Sequence, residues 1–510
     1  MAGSEGNILP AARRNTMSTL KRHAPLVLIS ILAMGGAILA SSCTGGPHPA
    51  GKDGQATKAE PAQPAGSATT PSAPQTPEEK KISALEGADA LLKSGKADEA
   101  VAKIEEASTI QPDNSELGLL KAAALASAGK TAEARSLTDS ILAKEPANAA
   151  ALLMAVNLAR FAGDEAARKS YLDRGLAAVP ADSALLAAYG DYLLDRKNAA
   201  KAEEYFRKAQ AADQNNPDAA YGLGQSLFAQ GKYQDSEAAL DIAIALDPES
   251  VYAWADRSRV RTKLGKTEDA LGDLGTAIGK APELSWLYLD RGKIYMNGGR
   301  SDEAIADFGR AIEKEPDYFL SYVYRAGIYE RQGKDEEAFA DYAKIIGLEP
   351  DYWYAYESLG ATSFRLANWP EAAQDFQKAY SHAGDTYEYA IAAGIALLRA
   401  GKKAEAKDWA GSIAPTIDRE KNGIYWLMLR LIQDQNDMST EIENKIQAEK
   451  HLDTKAAMLF YLGEYWLARG KGELASKYFI LSRDLNRNEC LEYRLLQPEL
   501  ARLGIAKIRG

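Results

Sequence analysis

Four histidines and two cysteines hold most of the nucleophilic and metal-binding capacity of this 510-residue chain, and their spacing leaves it unused. His23, His48, His382 and His451 never fall at ligand spacing, and HExxH, paired CxxC, GxSxG and phosphate-loop patterns do not occur. His382 sits where a helix should end, the usual place of a solvated imidazole. Carboxylates abound, but a run such as Asp335, Glu336, Glu337 is what the solvated first turn of a helix carries. Neither catalysis nor a resident metal or cofactor is expected. What the residue types do offer is adhesion: between residues 221 and 365, tyrosine, tryptophan and phenylalanine alternate with arginine and lysine. Those are the types that dominate interface energetics.

The elements that must position them are set by a period. Ten consecutive 34-residue windows run from Lys81 to Glu420 without insertion. In the window Ser285 to Tyr318, the residues Tyr288, Gly292, Tyr295, Gly299, Ala304, Phe308, Ala311 and Pro316 occupy positions 4, 8, 11, 15, 20, 24, 27 and 32. Position 15 is glycine in eight of the ten windows, where a first helix must end and the chain reverse through a left-handed residue. Position 32 is proline in seven windows, which stops a second helix. Small residues recur at positions 8 and 20, as close helix crossings require, and the apolar spacing is three-and-four, as in Ala304, Phe308, Ala311 and Ile312. The pattern resembles the tetratricopeptide repeat, whose period of about 34 residues it shares. The expected fold is all-α, a superhelical solenoid of helix-turn-helix repeats.

Three windows depart from the pattern. Window three has Arg168 at a small position, window four has Lys197 and Gln214 for glycine and proline, and window nine has Ala367 and Gly384. Irregular stacking is expected there. Beyond Glu420 the register slips, with a degenerate pair over 424–433 and 441–450 and a shifted repeat marked by Gly463, Trp466, Gly470, Ala475 and Phe479. The stretch from Cys490 to Lys507 reads as a closing helix, interrupted or begun near Pro498, that caps the last apolar face. Residues 81–420 are thus assigned to ten repeats and 421–510 to degenerate repeats and a capping helix.

Ahead of the repeats, Lys21, Arg22 and His23, the uncharged stretch Leu26 to Ala40 and then Ser41-Ser42-Cys43 follow the order of an export signal. An apolar run of about fifteen residues is short for a membrane span, which needs roughly twenty. The end of this segment resembles a bacterial lipobox, although Leu39 stands one place early. The resemblance implies cleavage and acylation at Cys43, with 1–42 as signal peptide and Met17 as a candidate true start. Where the envelope has two membranes, Thr44 beside it implies the outer one, with the solenoid facing the periplasm. Residues 44–80, rich in Pro, Ala, Gly, Ser and Thr, cannot bury enough surface to fold and are expected to be a disordered tether. It would reach roughly 35 Å as a coil. Cys490 then has no intrachain partner and is expected as a small core residue.

Net charge is −10, with no basic stripe, so nucleic acid is not an expected partner. In tetratricopeptide arrays, positions 2, 5, 6, 9, 12 and 13 of the first helices face a ligand groove. Carried onto this chain, the resemblance gives small groups such as Leu85, Ala123, Leu153, Ala184 and Ala187 in windows one to four. Windows five to nine give Tyr221, Phe228, Tyr252, Asp256, Arg259, Trp286, Asp290, Lys293, Met296, Tyr324, Arg331, Tyr354, Phe364 and Arg365. Trp254, Tyr288, Tyr322 and Tyr356 at position 4 are expected to pack between repeats, and Arg257, Arg291 and Arg325 at position 7 to form a structural ion-pair ladder. The family's clamp for a chaperone C-terminus is missing: Asn157 is the only asparagine at position 9, beside Leu153 and Ala188. Three functions stay open: a lipid-anchored scaffold for protein segments, a regulatory or targeting subunit of an envelope enzyme or secretion machine, and a receptor for peptide or glycan.

Overall fold

In a computed structural model of the chain, residues 76–110, 114–435, 439–487 and 490–505 are described. The signal segment, Cys43 and residues 44–75 of the expected tether lie outside the described residues, while its last residues are not a tether: the first helix, Pro77–Lys93, already begins there. The regular elements of the described residues are all helices, and none of them is long and apolar enough to cross a membrane. The chain forms two compact units, the first ending at Leu264 and the second beginning at Gly265.

Each window becomes a helix pair with fixed marks. The second helix starts at position 17 in all ten windows, from Ala97 to Lys403, and in windows one to nine it ends at position 30, from Ile110 to His382. All eight glycines at position 15 have positive φ, between 69° and 77°. The following amide returns to the first helix, as from Lys130 to the Leu125 carbonyl at 2.8 Å, which closes a Schellman turn. Asn114, Asn148, Asp182, Asn216 and Ser250 then cap the next first helix through their side chains.

The irregular joints expected in windows four and nine do not appear at the turn. Lys197 (φ 59°) and Ala367 (φ 61°) adopt the left-handed conformation themselves, and Asn198 and Asn368 make the same return bonds at 2.9 and 2.8 Å. Packing of the two helices imposes the turn on whatever residue occupies it. A Cβ there costs about 1 kcal/mol, and both side chains are exposed. Lys197→Gly and Ala367→Gly are each expected to stabilise the chain by about 0.5–1 kcal/mol, seen as a higher urea midpoint. A lowered midpoint would show that these side chains contribute packing.

The helix crossings explain the small positions. Ala100, Ala134, Ala202, Ala270, Ala304, Ala338, Ala372 and Ala406 at position 20 are all fully buried. Arg168, their counterpart in window three, is buried too, and it reaches out to Asp195 at 2.7 Å beside the Tyr192 ring. At position 4, Trp254, Tyr288 and Tyr322 donate to the carbonyls of Pro248, Pro282 and Pro316 at 2.9, 3.1 and 3.1 Å. Proline at position 32 and an aromatic six residues later therefore form one joint. At position 7, Arg291 and Arg325 make two-pronged bonds to the buried Asp307 and Asp341, and Arg257 reaches Asp241 at 2.7 Å. The arginine row is structural.

After window ten come the helices Arg419–Asp434 and Ser439–Ala448, then the pair Leu452–Ala468 and Gly472–Asp484 about Gly470 (φ 75°). The last helix, Leu491–Arg502, runs through Pro498 unbroken. It is not a simple cap. Leu452–Ala468 packs back on Tyr387–Arg399 of window ten, and Leu491–Arg502 packs on Tyr354–Arg365 of window nine. Tyr387–Arg399 is consequently covered on every side, with all residues from Tyr389 to Leu398 buried. Cys490 is half-buried at the N-cap of the last helix, its thiol pushed up to about 11, first by burial and then by Glu492.

Candidate protein-binding surface

In the first unit, the first helices of windows five and six, Pro217–Ala229 and Val251–Lys263, bring four expected residues together. Asp256 is the centre: Tyr221 Oη donates to its Oδ2 at 2.7 Å, Gln225 Nε2 to the same oxygen at 2.9 Å, and Arg259 Nη1 to Oδ1 at 2.7 Å. Burial, and then the Asp256 charge, push the Tyr221 hydroxyl well above its ordinary range, so it stays a donor. Beside this group a cavity of about 180 Å³ is lined by Gln225, Phe228, Leu240, Asp256 and Arg259. Phe228 forms its apolar wall and packs at 5.5 Å on Tyr233. Tyr252 is exposed on the same helix as Asp256. The pocket joins a fixed carboxylate, an exposed guanidinium and an aromatic ring, the groups that hold a peptide by backbone, side-chain charge and apolar anchor. Gln225, at position 9, was not among the expected residues; its place beside an acidic position 6 was the available signal.

In the second unit, Asp290 and Lys293 pair at 2.8 Å on Ser285–Asn297, with Lys293 Nζ 6.0 Å from the Tyr324 ring centre. Tyr324 stacks on the buried Phe308 at 5.5 Å. Trp286 and Met296 are half-buried on the same helix as Lys293, and Arg331 is exposed. Tyr354 is 46% exposed and stacked on Trp353 at 3.8 Å.

Two expected groove residues are not available. Phe364 is fully buried, edge-on to Trp369 at 4.9 Å and near Phe460 at 6.1 Å. Arg365 is buried and committed to Asp335 at 2.8 Å, Glu330 at 3.3 Å and Thr362 at 3.1 Å. The cause is the returning C-terminal chain, which covers this face of window nine. Glu330, Glu357 and Arg494, which the sequence pattern did not single out, make that contact: Arg494 bridges Glu330 at 3.1 Å and Glu357 at 2.5 Å.

Family models described as tetratricopeptide repeat match residues 91–156, 221–284 and 289–353. Comparison with curated proteins gives no match. Among solved structures, the chain is similar to MamA, at 27% identity over 32% of this chain and 94% of that one, with a TM-score of 0.29. It is also similar to pilF of Pseudomonas aeruginosa (17%; 40% and 92%; 0.36) and to a tetratricopeptide repeat protein of Parabacteroides merdae (18%; 62% and 98%; 0.32). The family matches and the paired helices together make this chain a tetratricopeptide repeat protein. Proteins of this class mediate protein–protein interaction and scaffolding.

Proposed function

We propose that the chain is a non-enzymatic scaffold that binds protein segments on its first helices, held by a lipid on Cys43 at a bacterial envelope, on the outer membrane facing the periplasm. The observation that carries the binding reading is the pocket of windows five and six, where Asp256 is fixed by donors from two successive helices beside Phe228 and the exposed Arg259. Pre-fixed polar groups at an apolar wall bind with little ordering cost. Residues 44–75 would supply the reach between anchor and array.

Photocrosslinking from position 228 in intact cells should trap a protein partner. Phe228→Ala combined with Arg259→Ala is then expected to weaken its capture by roughly 30-fold, about 2 kcal/mol, at unchanged helical content. Trp286→Ala with Arg331→Ala tests the second unit in the same way. Capture at wild-type affinity by both double variants would remove the first helices as the binding face. For the anchor, mass spectrometry of the membrane fraction should find an acylated N-terminal Cys43. An intact 17–42 segment, or a Cys43→Ala chain still firmly membrane-bound, would remove it.

A further inference from the structure

The first helices of windows eight and nine are covered by a helix from the end of the chain itself. Leu491–Arg502 lies against Tyr354–Arg365 as well as on Leu452–Ala468 and Gly472–Asp484, with Arg494 and its acceptor Glu357 separated by 137 residues of sequence. Three kinds of contact seat it. Leu495, Leu496 and Leu500 form a buried apolar stripe. Arg494 enters a pair of carboxylates, Glu330 and Glu357, contributed by two successive repeats. At the other end Arg502 donates to the Arg365 carbonyl, and Glu499 accepts from Arg399 at 3.4 Å.

The helix has little stability of its own. It has twelve residues, below the length at which an isolated helix holds in water, and Pro498 removes the bond to the Arg494 carbonyl. Docking also buries carboxyls: Glu492 is 3% exposed, and burial, opposed by the Tyr461 hydroxyl that donates to it, pushes it up to about 7. A short segment with little helical stability of its own, held by Leu452–Ala468 on one side and by Tyr354–Arg365 on the other, depends on its surroundings to stay helical.

We propose that this face is a helix-binding site, occupied at rest by Leu491–Arg502, and that a partner presenting an amphipathic helix with an arginine beside a leucine stripe binds there by displacing it. The proposal rests on the protein-binding reading of the chain, but its site is separate from the Phe228 and Arg259 pocket, so the two can fail separately. The groove commits to that chemistry because the paired carboxylates of Glu330 and Glu357 require a cation at the centre of an apolar helix face.

The test uses the full chain and a labelled synthetic peptide of residues 491–505. Arg494→Glu places a like charge against Glu330 and Glu357, Arg502→Glu removes the bond to the Arg365 carbonyl and sets a like charge beside Glu499, and together they should release the resident helix. The peptide is expected to bind this variant at least tenfold tighter than wild type, and Glu357→Lys added to the variant should abolish the gain. In the wild-type chain, amides of 491–502 should exchange at least tenfold faster than those of Leu452–Ala468. Equal peptide binding to variant and wild type, or exchange of both helices at one rate, would make the segment a fixed cap and overturn the proposal. Dimers formed through exchanged C-terminal helices would overturn the assigned partner in favour of a second copy. If the charge variant does not fold, the wild-type exchange rates decide.

Discussion

Arg399→Ala is expected to destabilise the second unit by roughly 3–5 kcal/mol at pH 8 and by less at pH 5. Arg399 ends the helix Tyr387–Arg399, its guanidinium over the Trp369 ring at 4.2 Å. Nη1 donates to Glu464 at 2.5 Å and to Glu499 at 3.4 Å, and both carboxylates are fully buried. Glu464 Oε1 finds no further partner among the described residues. Without the arginine, Arg502 on Glu499 is the counter-ion that remains among the described residues. Burial pushes Glu464 up to about 8, with Glu499 adding and Arg399 opposing. A carboxyl raised above its unfolded value binds more protons folded than unfolded. Its contribution is therefore full below the ordinary carboxylate range and is lost as pH rises through about 8. At pH 5 Glu464 is protonated, and the missing arginine leaves less buried charge uncompensated. Glu464→Gln, which mimics the protonated acid, should be nearly neutral at pH 7. Urea denaturation of the three proteins at pH 5, 7 and 8 checks this. A pH-independent loss in Arg399→Ala would mean that it reports packing against Trp369 and not buried charge.

The same cluster shows where sequence reading ends. The turns were legible because a backbone requirement repeats every window: position 15 needs positive φ, and glycine marks it. The two non-glycine turns at Lys197 and Ala367 read as defects only because residue type was the sole clue, while packing of the flanking helices holds the turn. In the candidate site, Tyr221, Phe228, Asp256 and Arg259 were legible because helix register fixes which way neighbouring first helices point, and their partners lie within 35 residues. Phe364 and Arg365 share that register and are nevertheless covered. What covers them comes from far down the chain, and local periodicity carries no record of it. A signal did exist in Tyr387–Arg399, whose run Ala390-Ile391-Ala392-Ala393-Gly394-Ile395-Ala396-Leu397-Leu398 is apolar on every face. A helix of that kind must be covered all round, and adjacent repeats alone cover a stripe. Phe460 to Leu462 in the helix that covers it carries the same message.

Close crossings give the other large effect. Gly222→Ala is expected to cost roughly 2 kcal/mol even though alanine is the better helix former by about 1 kcal/mol. The Phe206 ring is fully buried between two first helices, at Gly190 and Gly222. A Cβ on Gly222 would stand 2.7 Å from ring atom Cδ1 and nearer still to Cε1 and Cζ, while one on Gly190 would stand 2.7 Å from Cε1. The ring cannot retreat from one glycine without meeting the other. Phe206→Leu in the Gly222→Ala background should therefore recover part of the loss, and a double-mutant cycle should give a coupling of about 1–2 kcal/mol. Gly275→Ala is the contrast: it lies inside the helix Thr267–Lys280 with no heavy atom within 4 Å of an added Cβ, and it should stabilise by about 0.5–1 kcal/mol. Because each repeat leans mainly on its neighbours, hydrogen exchange should rise around 183–250 and stay unchanged near 100. Gly222→Ala as stable as wild type would mean that Phe206 has room to turn, and the glycine would then be there for some reason other than the crossing.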